Sequence, residues 1–176
     1  MANRNTSGFG LISAGTVGST PATQGQGKYY IDAGATVDLF QGSAVKSSAG
    51  YIITAQAAIT NTCIGVFNGI FYNAATTLKP TWANWYNQPI TPANSEDITC
   101  FVIDNPSQLF VGSLDTAAAQ ATYGMTYGLT VTAAGSETSG QSSSTLTYAT
   151  RHATNNQWRL VRTAEDPEND QNATFR

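Results

Sequence analysis

The side chains that most often do chemistry are scarce in this chain, and their spacing does not bring them together. There is one histidine, His152, in a polar stretch between two strand-like segments. A Ser-His-acid relay would have to be built on it. A zinc site would have to join it to Cys63 and Cys100, which are far apart and match no known ligand spacing. His152 therefore reads as a solvated loop residue. Glu96 and Asp97 are adjacent, so on a strand they point to opposite faces. Glycosidic hydrolysis needs two carboxylates facing each other across a cleft. Gly8-Phe9-Gly10 and Gly25-Gln26-Gly27 look like nucleotide loops, but neither follows a strand or opens a helix, and no Gly-Lys-Ser/Thr follows. Ser142-Ser143-Ser144 lacks the G-x-S-x-G elbow. Asn5-Thr6-Ser7 and Asn172-Ala173-Thr174 fit a glycosylation pattern by chance in a Ser/Thr/Asn-rich chain. The expectation is no catalytic residue, no cofactor, no metal and no enzyme.

Two residue groups remain as candidates for binding. Trp82, Trp85 and Tyr86 lie in a stretch, 73–97, that holds three prolines and reads as a long irregular loop. Such aromatics could stack on sugars or bases, plug a neighbouring subunit, or fold back over one end of the body. Phe9, Leu11 and Ile12 are the second group, in a Gly/Ser/Thr-rich segment with little else to bury. Cys63 and Cys100 each sit in an apolar strand-like run. Two buried free thiols on neighbouring strands is one reading and a single disulfide the other.

The elements that would position these residues are nearly all strands. Lys28–Ile31, Thr36–Phe40 (with Val37 and Leu39 on one face), Ala44–Lys46, Tyr51–Thr54, Cys63–Phe67, Ile70–Tyr72, Ile98–Ile103, Gln108–Leu114, Leu129–Val131, Thr145–Tyr148 and Gln157–Arg162 are β-branched or aromatic runs broken by turn residues. Asn68-Gly69 is a hairpin signal, and Asp104-Asn105-Pro106-Ser107 is a turn. The single helix expected is short, Asp115–Thr122, capped by Asp115 or Thr116 and stopped at Gly124. The pattern is all-β, a β-barrel or β-tulip-like single domain with that one helix. Residues 28–163 form the body. Residues 1–27 read as an extended arm, and 164–176 as an acidic tail or arm.

Composition limits the class of function. Charged residues are 11% of the 176, against about 25% in ordinary globular proteins. A surface so poor in charge suits a protein packed against copies of itself or a larger assembly. The formal net charge is −3, which gives no electrostatic footprint for direct nucleic-acid binding. No apolar run approaches the length that spans a bilayer, so no membrane role is expected. The first ten residues lack an apolar export core, and folding in a reducing cytoplasm is expected. Arg151, Arg159 and Arg162 precede the acids of the tail, and opposite charges there could pair between neighbouring subunits.

Three segments in order carry a resemblance. They are Ala35–Lys46 (ATVDLFQGSAVK); Ile64–Gly69 followed by Phe71-Tyr72; and Phe101–Pro106 with Phe110, then Gly140-Gln141-Ser142 and Trp158–Arg162. Taken together they resemble the head decoration, or capsid cement, proteins of tailed bacteriophages, over most of residues 28–163. The resemblance implies a β-body on the outside of an icosahedral head, bound across joints between major capsid protein subunits. It also implies copies associated with one another as a homotrimer, and no bond-making chemistry. The rival expectation is a glycan- or receptor-binding module of a tail fibre or spike, with Trp82, Trp85 and Tyr86 as its platform.

Overall fold

Alternation along one strand organises the molecule. In Ile98–Ile103, the side chains of Ile98, Cys100 and Val102 are fully buried, while Thr99, Phe101 and Ile103 lie on the other face. The computed structural model describes residues 8–18, 25–55, 62–130 and 135–164. Its strands in chain order are β1 (Leu11–Thr16), β2 (Gln26–Ile31), β3 (Ala44–Ser48), β4 (Tyr51–Thr54), β5 (Gly65–Asn73), β6 (Pro80–Ala83), β7 (Ile98–Ile103), β8 (Gln108–Gly112), β9 (Thr126–Thr130), β10 (Thr145–His152) and β11 (Trp158–Arg159). The chain is an all-β single domain.

The largest sheet runs β2-β7-β5-β3-β4, with β6 added to β5 beyond the end of β3. All its pairings are antiparallel. A two-stranded ribbon joins β1 to β8, and a three-stranded sheet runs β10-β9-β11. Among the described residues no sheet closes on itself, so open antiparallel sheets take the place of the expected barrel. The main core lies under the large sheet and is built from Ile31, Val45, Phe67, Ile70, Ile98 and Val102. Full burial of each such side chain is worth about 1.5–3 kcal/mol. A second cluster, Leu11, Ala44, Val66 and Leu129, ties the ribbon to the rest. A third, Leu114, Ala118 and Tyr127, lies under the three-stranded sheet.

Several local expectations are corrected. Asn68-Gly69 makes no hairpin; β5 runs through it with a bulge between Phe67 and Gly69 in its pairing to β7. The stretch 73–97 is not structureless, since it holds β6 and a 3-10 turn at Ala93–Ser95. Val37 and Leu39 do not share a face: Val37 is exposed and Leu39 buried, and Leu39 pairs with Tyr86 only as an isolated bridge. The expected helix at Asp115–Thr122 is reduced to one 3-10 turn, Gln120–Thr122. Its cap residue is used elsewhere. The Asp115 N–H donates to the Leu146 carbonyl at 3.0 Å, and the Asp115 carboxylate accepts from the Tyr148 N–H at 2.8 Å. Backbone pairing with β10 thus wins over a marginal helix nucleus. The 104–107 turn forms, but Asn105 closes it, accepting from the N–H groups of Ser107 and Gln108.

The expected arm is partly absorbed into the body. Leu11–Thr16 pairs with Gln108–Gly112, and β2 begins at Gln26. Residues 1–7, 19–24 and 165–176, which also belong to the expected arms, lie outside the described residues.

Candidate functional site

The outer face of the large sheet carries an aromatic row. Residues directly opposite one another on antiparallel strands share a face. Tyr30 of β2 is opposite Thr99 of β7, Thr99 is opposite Phe71 of β5, and Phe71 is opposite Trp82 of β6. One register step away, Lys28, Phe101 and Gly69 form the next row. Tyr30, Phe71 and Trp82 remain 44%, 41% and 55% exposed. From Tyr30 to Trp82 the row spans three strand spacings, about 14 Å.

The rings are held in place by this register. The Trp82 and Phe101 centroids are 5.3 Å apart at a tilt of 41°. Trp82 reaches Phe101 over Gly69, where a Cβ would approach the indole and the Ala83 carbonyl oxygen to 2.8 Å. Gly69 also has φ +143°, which favours glycine. The Lys28 ammonium lies 5.4 Å from the centroid of the Tyr30 ring, a cation–π distance. Beyond this face, at the tip of the β5–β6 hairpin, Leu78 is 73% exposed. Its φ is +53°, and its N–H closes the turn on the Ala74 carbonyl at 2.8 Å. A leucine held left-handed and turned to solvent costs about 1–2 kcal/mol. Such strain concentrates at functional surfaces.

The structure disperses the residues singled out from sequence. Trp82 belongs to the exposed face. Trp85 instead stacks on Phe40, with centroids 5.4 Å apart and planes 8° apart. Tyr86 is fully buried and donates its hydroxyl to the Ala35 carbonyl at 2.9 Å. Burial, with Asp38 and Asp32 adding to it, pushes the Tyr86 phenol above its ordinary pKa. Leu11 is buried in the second cluster, Ile12 is exposed on the ribbon, and Phe9 is half-buried. Tyr30, Phe71 and Phe101 were not singled out. The signal for Phe71 and Phe101 lies in β5 and β7, which are apolar on both faces, a pattern expected when the second face of an antiparallel sheet is also covered.

The groups that could do chemistry stay apart. Cys63 and Cys100 are free thiols, so the disulfide reading is set aside. Burial pushes the Cys100 thiol up to about 12 and raises that of Cys63. His152 is exposed at the end of β10, and its Nδ1 accepts from the Thr154 N–H at 3.3 Å. The Asp97 carboxylate accepts from the Tyr51 hydroxyl at 3.1 Å. Among the described residues no three His, Cys, Asp or Glu side chains gather as metal ligands, and no helix is long and apolar enough to cross a membrane. What the arrangement offers is an exposed row of aromatic rings with one cation, Lys28, beside it. Comparison of the chain with protein-family models, with curated proteins and with solved structures finds no match.

Proposed function

We propose that this chain is a virion structural protein that decorates and stabilises the outside of an icosahedral phage head. In this reading it lays its aromatic face across joints between major capsid protein subunits. The observation that carries it is the row Tyr30, Phe71 and Trp82 beside Phe101, solvent-facing on the large sheet. Exposed apolar patches of a few hundred Å² mark interaction sites. With about half of each ring exposed, the row supplies roughly 300 Å², since each aromatic buries about 150–250 Å² in full. That is less than half of the roughly 800 Å² per partner of a standard stable interface. A single copy then binds weakly, and firm attachment comes from many copies held together. The low charge of the chain (11% Asp, Glu, Lys and Arg) limits repulsion between crowded copies. The resemblance of its ordered segments to head decoration proteins points the same way.

The test is addition of purified protein to undecorated phage heads, read as occupancy and as heat resistance of the heads. The native chain is expected to add and to raise resistance. Phe71→Ser with Trp82→Ser is expected to lower occupancy at least tenfold with the fold intact by circular dichroism. Undiminished decoration by that variant would reject the aromatic face as the docking surface. Exposed rings on a sheet also favour a second reading, a glycan platform. Binding of the isolated chain to a glycan array, lost in the same variant, would establish that reading instead.

A further inference from the structure

The ribbon of β1 and β8 leaves one edge of β8 open. The Leu11 N–H donates to the Gly42 carbonyl at 2.9 Å, away from β8, and the Val17 N–H donates to the Ser107 carbonyl at 2.8 Å. Bonded and non-bonded pairs alternate along an antiparallel ladder. Leu11–Gly112 is therefore a non-bonded pair and Ile12–Val111 a bonded one, and the bulge between Ser13 and Gly15 keeps Gly15–Leu109 in phase with Val17–Ser107. The backbone groups of Leu109 and Val111 thus face β1, and those of Gln108, Phe110 and Gly112 face the other way. The Gln108 N–H is used there, donating to the Asn105 carbonyl at 3.0 Å. Among the described residues no strand pairs with that side of β8. A groove of about 750 Å³ is lined by all five residues of the strand.

Open strand edges are ready templates for pairing, and natural proteins guard them with lysine or proline. β6, which pairs only with β5, begins at Pro80 after Lys79, and β2 at the end of the large sheet carries Lys28. β8, Gln108-Leu109-Phe110-Val111-Gly112, has no charge and no proline. It is also complementary to itself. The open positions 108, 110 and 112 are symmetric about Phe110, so β8 laid antiparallel on a second β8 sets Phe110 opposite Phe110 and Gln108 opposite Gly112. Each Phe110 N–H then meets the other's carbonyl, and each Gly112 N–H meets the Gln108 carbonyl across from it. An edge without charge meets its own copy without like-charge repulsion.

We infer that two copies of this chain join through their β8 edges, in that register, to make one four-stranded sheet in the order β1-β8-β8-β1. Main-chain hydrogen bonds hold such an added strand, and alternate side chains give it specificity. Here Leu109 of one copy lies directly opposite Val111 of the other, twice across the two-fold axis, in non-bonded pairs whose side chains come close. The same patch serves both copies, so the contact closes on itself as a pair. It shares no described residue with the aromatic face and does not depend on what that face binds.

The test uses the full chain at concentrations up to about 1 mM, because a contact of a few residues is weak. Sedimentation of the native protein is expected to pass from monomer to dimer as concentration rises. Over the same range, amide exchange at Phe110 and Gly112 is expected to slow at least tenfold, while Val111, bonded to β1 throughout, stays slow. Leu109 and Val111 belong to none of the three core clusters, so substitution there is expected to leave the fold intact by circular dichroism. Leu109→Lys and Val111→Glu are each expected to associate at least tenfold more weakly than the native chain. Their equimolar mixture is expected to associate again, since the lysine of one then faces the glutamate of the other. A native chain that stays monomeric, exchange at Phe110 and Gly112 that ignores concentration, variants that associate like the native chain, or a mixture no tighter than either variant alone would each overturn the contact. The exchange measurement needs no variant and decides the matter if a variant does not fold. A chain that decorates heads yet stays monomeric defeats this contact alone, and one that dimerises and ignores heads defeats only the function proposed above.

Discussion

Cys100 shows how burial turns a reactive group into a structural one. It is fully buried in the main core, and burial alone pushes its thiol from the ordinary value of 9.0 to about 12. The thiolate is the nucleophile, so the folded chain presents an inert sulfur at neutral pH. Native protein is expected to react with a thiol reagent at Cys63 first and at Cys100 only on unfolding; fast labelling of Cys100 in the native state would contradict its placement. The same shift sets a pH dependence. Below pH 9 the thiol is protonated in both folded and unfolded chains and stability is unaffected. Between about 9 and 12 the unfolded chain ionises while the folded chain does not, so stability falls with rising pH. The slope is at most about 1.4 kcal/mol per pH unit for this group. Cys100→Ala is expected to flatten that decline in urea unfolding between pH 9 and 11, and an unchanged slope would reject the assignment. Tyr29, Tyr51 and Tyr86 are also raised, Tyr29 and Tyr51 chiefly by hydroxyl donation to Asp104 and Asp97, Tyr86 chiefly by burial. Some decline therefore remains in the variant. At this scale the sequence was a good guide to Cys100, whose neighbours alternate cleanly. It was a poor guide to Tyr86, because the partners that bury that ring, Leu39 and Ala35, are far away along the chain.

Strands were legible where one face alternates against the core, as in Ile98–Ile103. They were less legible where a turn residue serves the sheet instead of ending it. Asn68-Gly69 is the clearest case. The dipeptide that most often reverses a chain here supplies a bulge within β5, and the missing side chain leaves room for Trp82. Gly69→Ala therefore has two costs, a positive φ and a 2.8 Å approach to the Ala83 carbonyl oxygen and the indole. It is expected to destabilise by about 2 kcal/mol or more and to displace Trp82, visible as a shift in tryptophan fluorescence. A neutral outcome would mean that the bulge does not position the row. Leu78→Gly is the opposite case. Relief of the left-handed backbone is expected to add about 0.5–1 kcal/mol of stability, read as a higher midpoint in urea unfolding, and an unchanged or lower midpoint would reject the strain. Asp115 explains the missing helix on the same scale: its cap chemistry was readable, and the strand that claims it, β10, was not.

At the scale of the whole molecule, the proposed role makes the aromatic face the surface that meets a shell. Lys28 is the one charged side chain in its two rows, so contact through that face should depend little on salt. Occupancy of heads as a function of protein concentration, read at about 0.01 M and about 1 M salt, checks this. The native chain is expected to keep its midpoint within about twofold between the two conditions, because burial of aromatic surface is not screened. The Phe71→Ser, Trp82→Ser variant should move its midpoint by at least tenfold at both. A native midpoint that rose tenfold with salt would mean that charged groups elsewhere on the chain carry the attachment, and that the aromatic row serves another purpose.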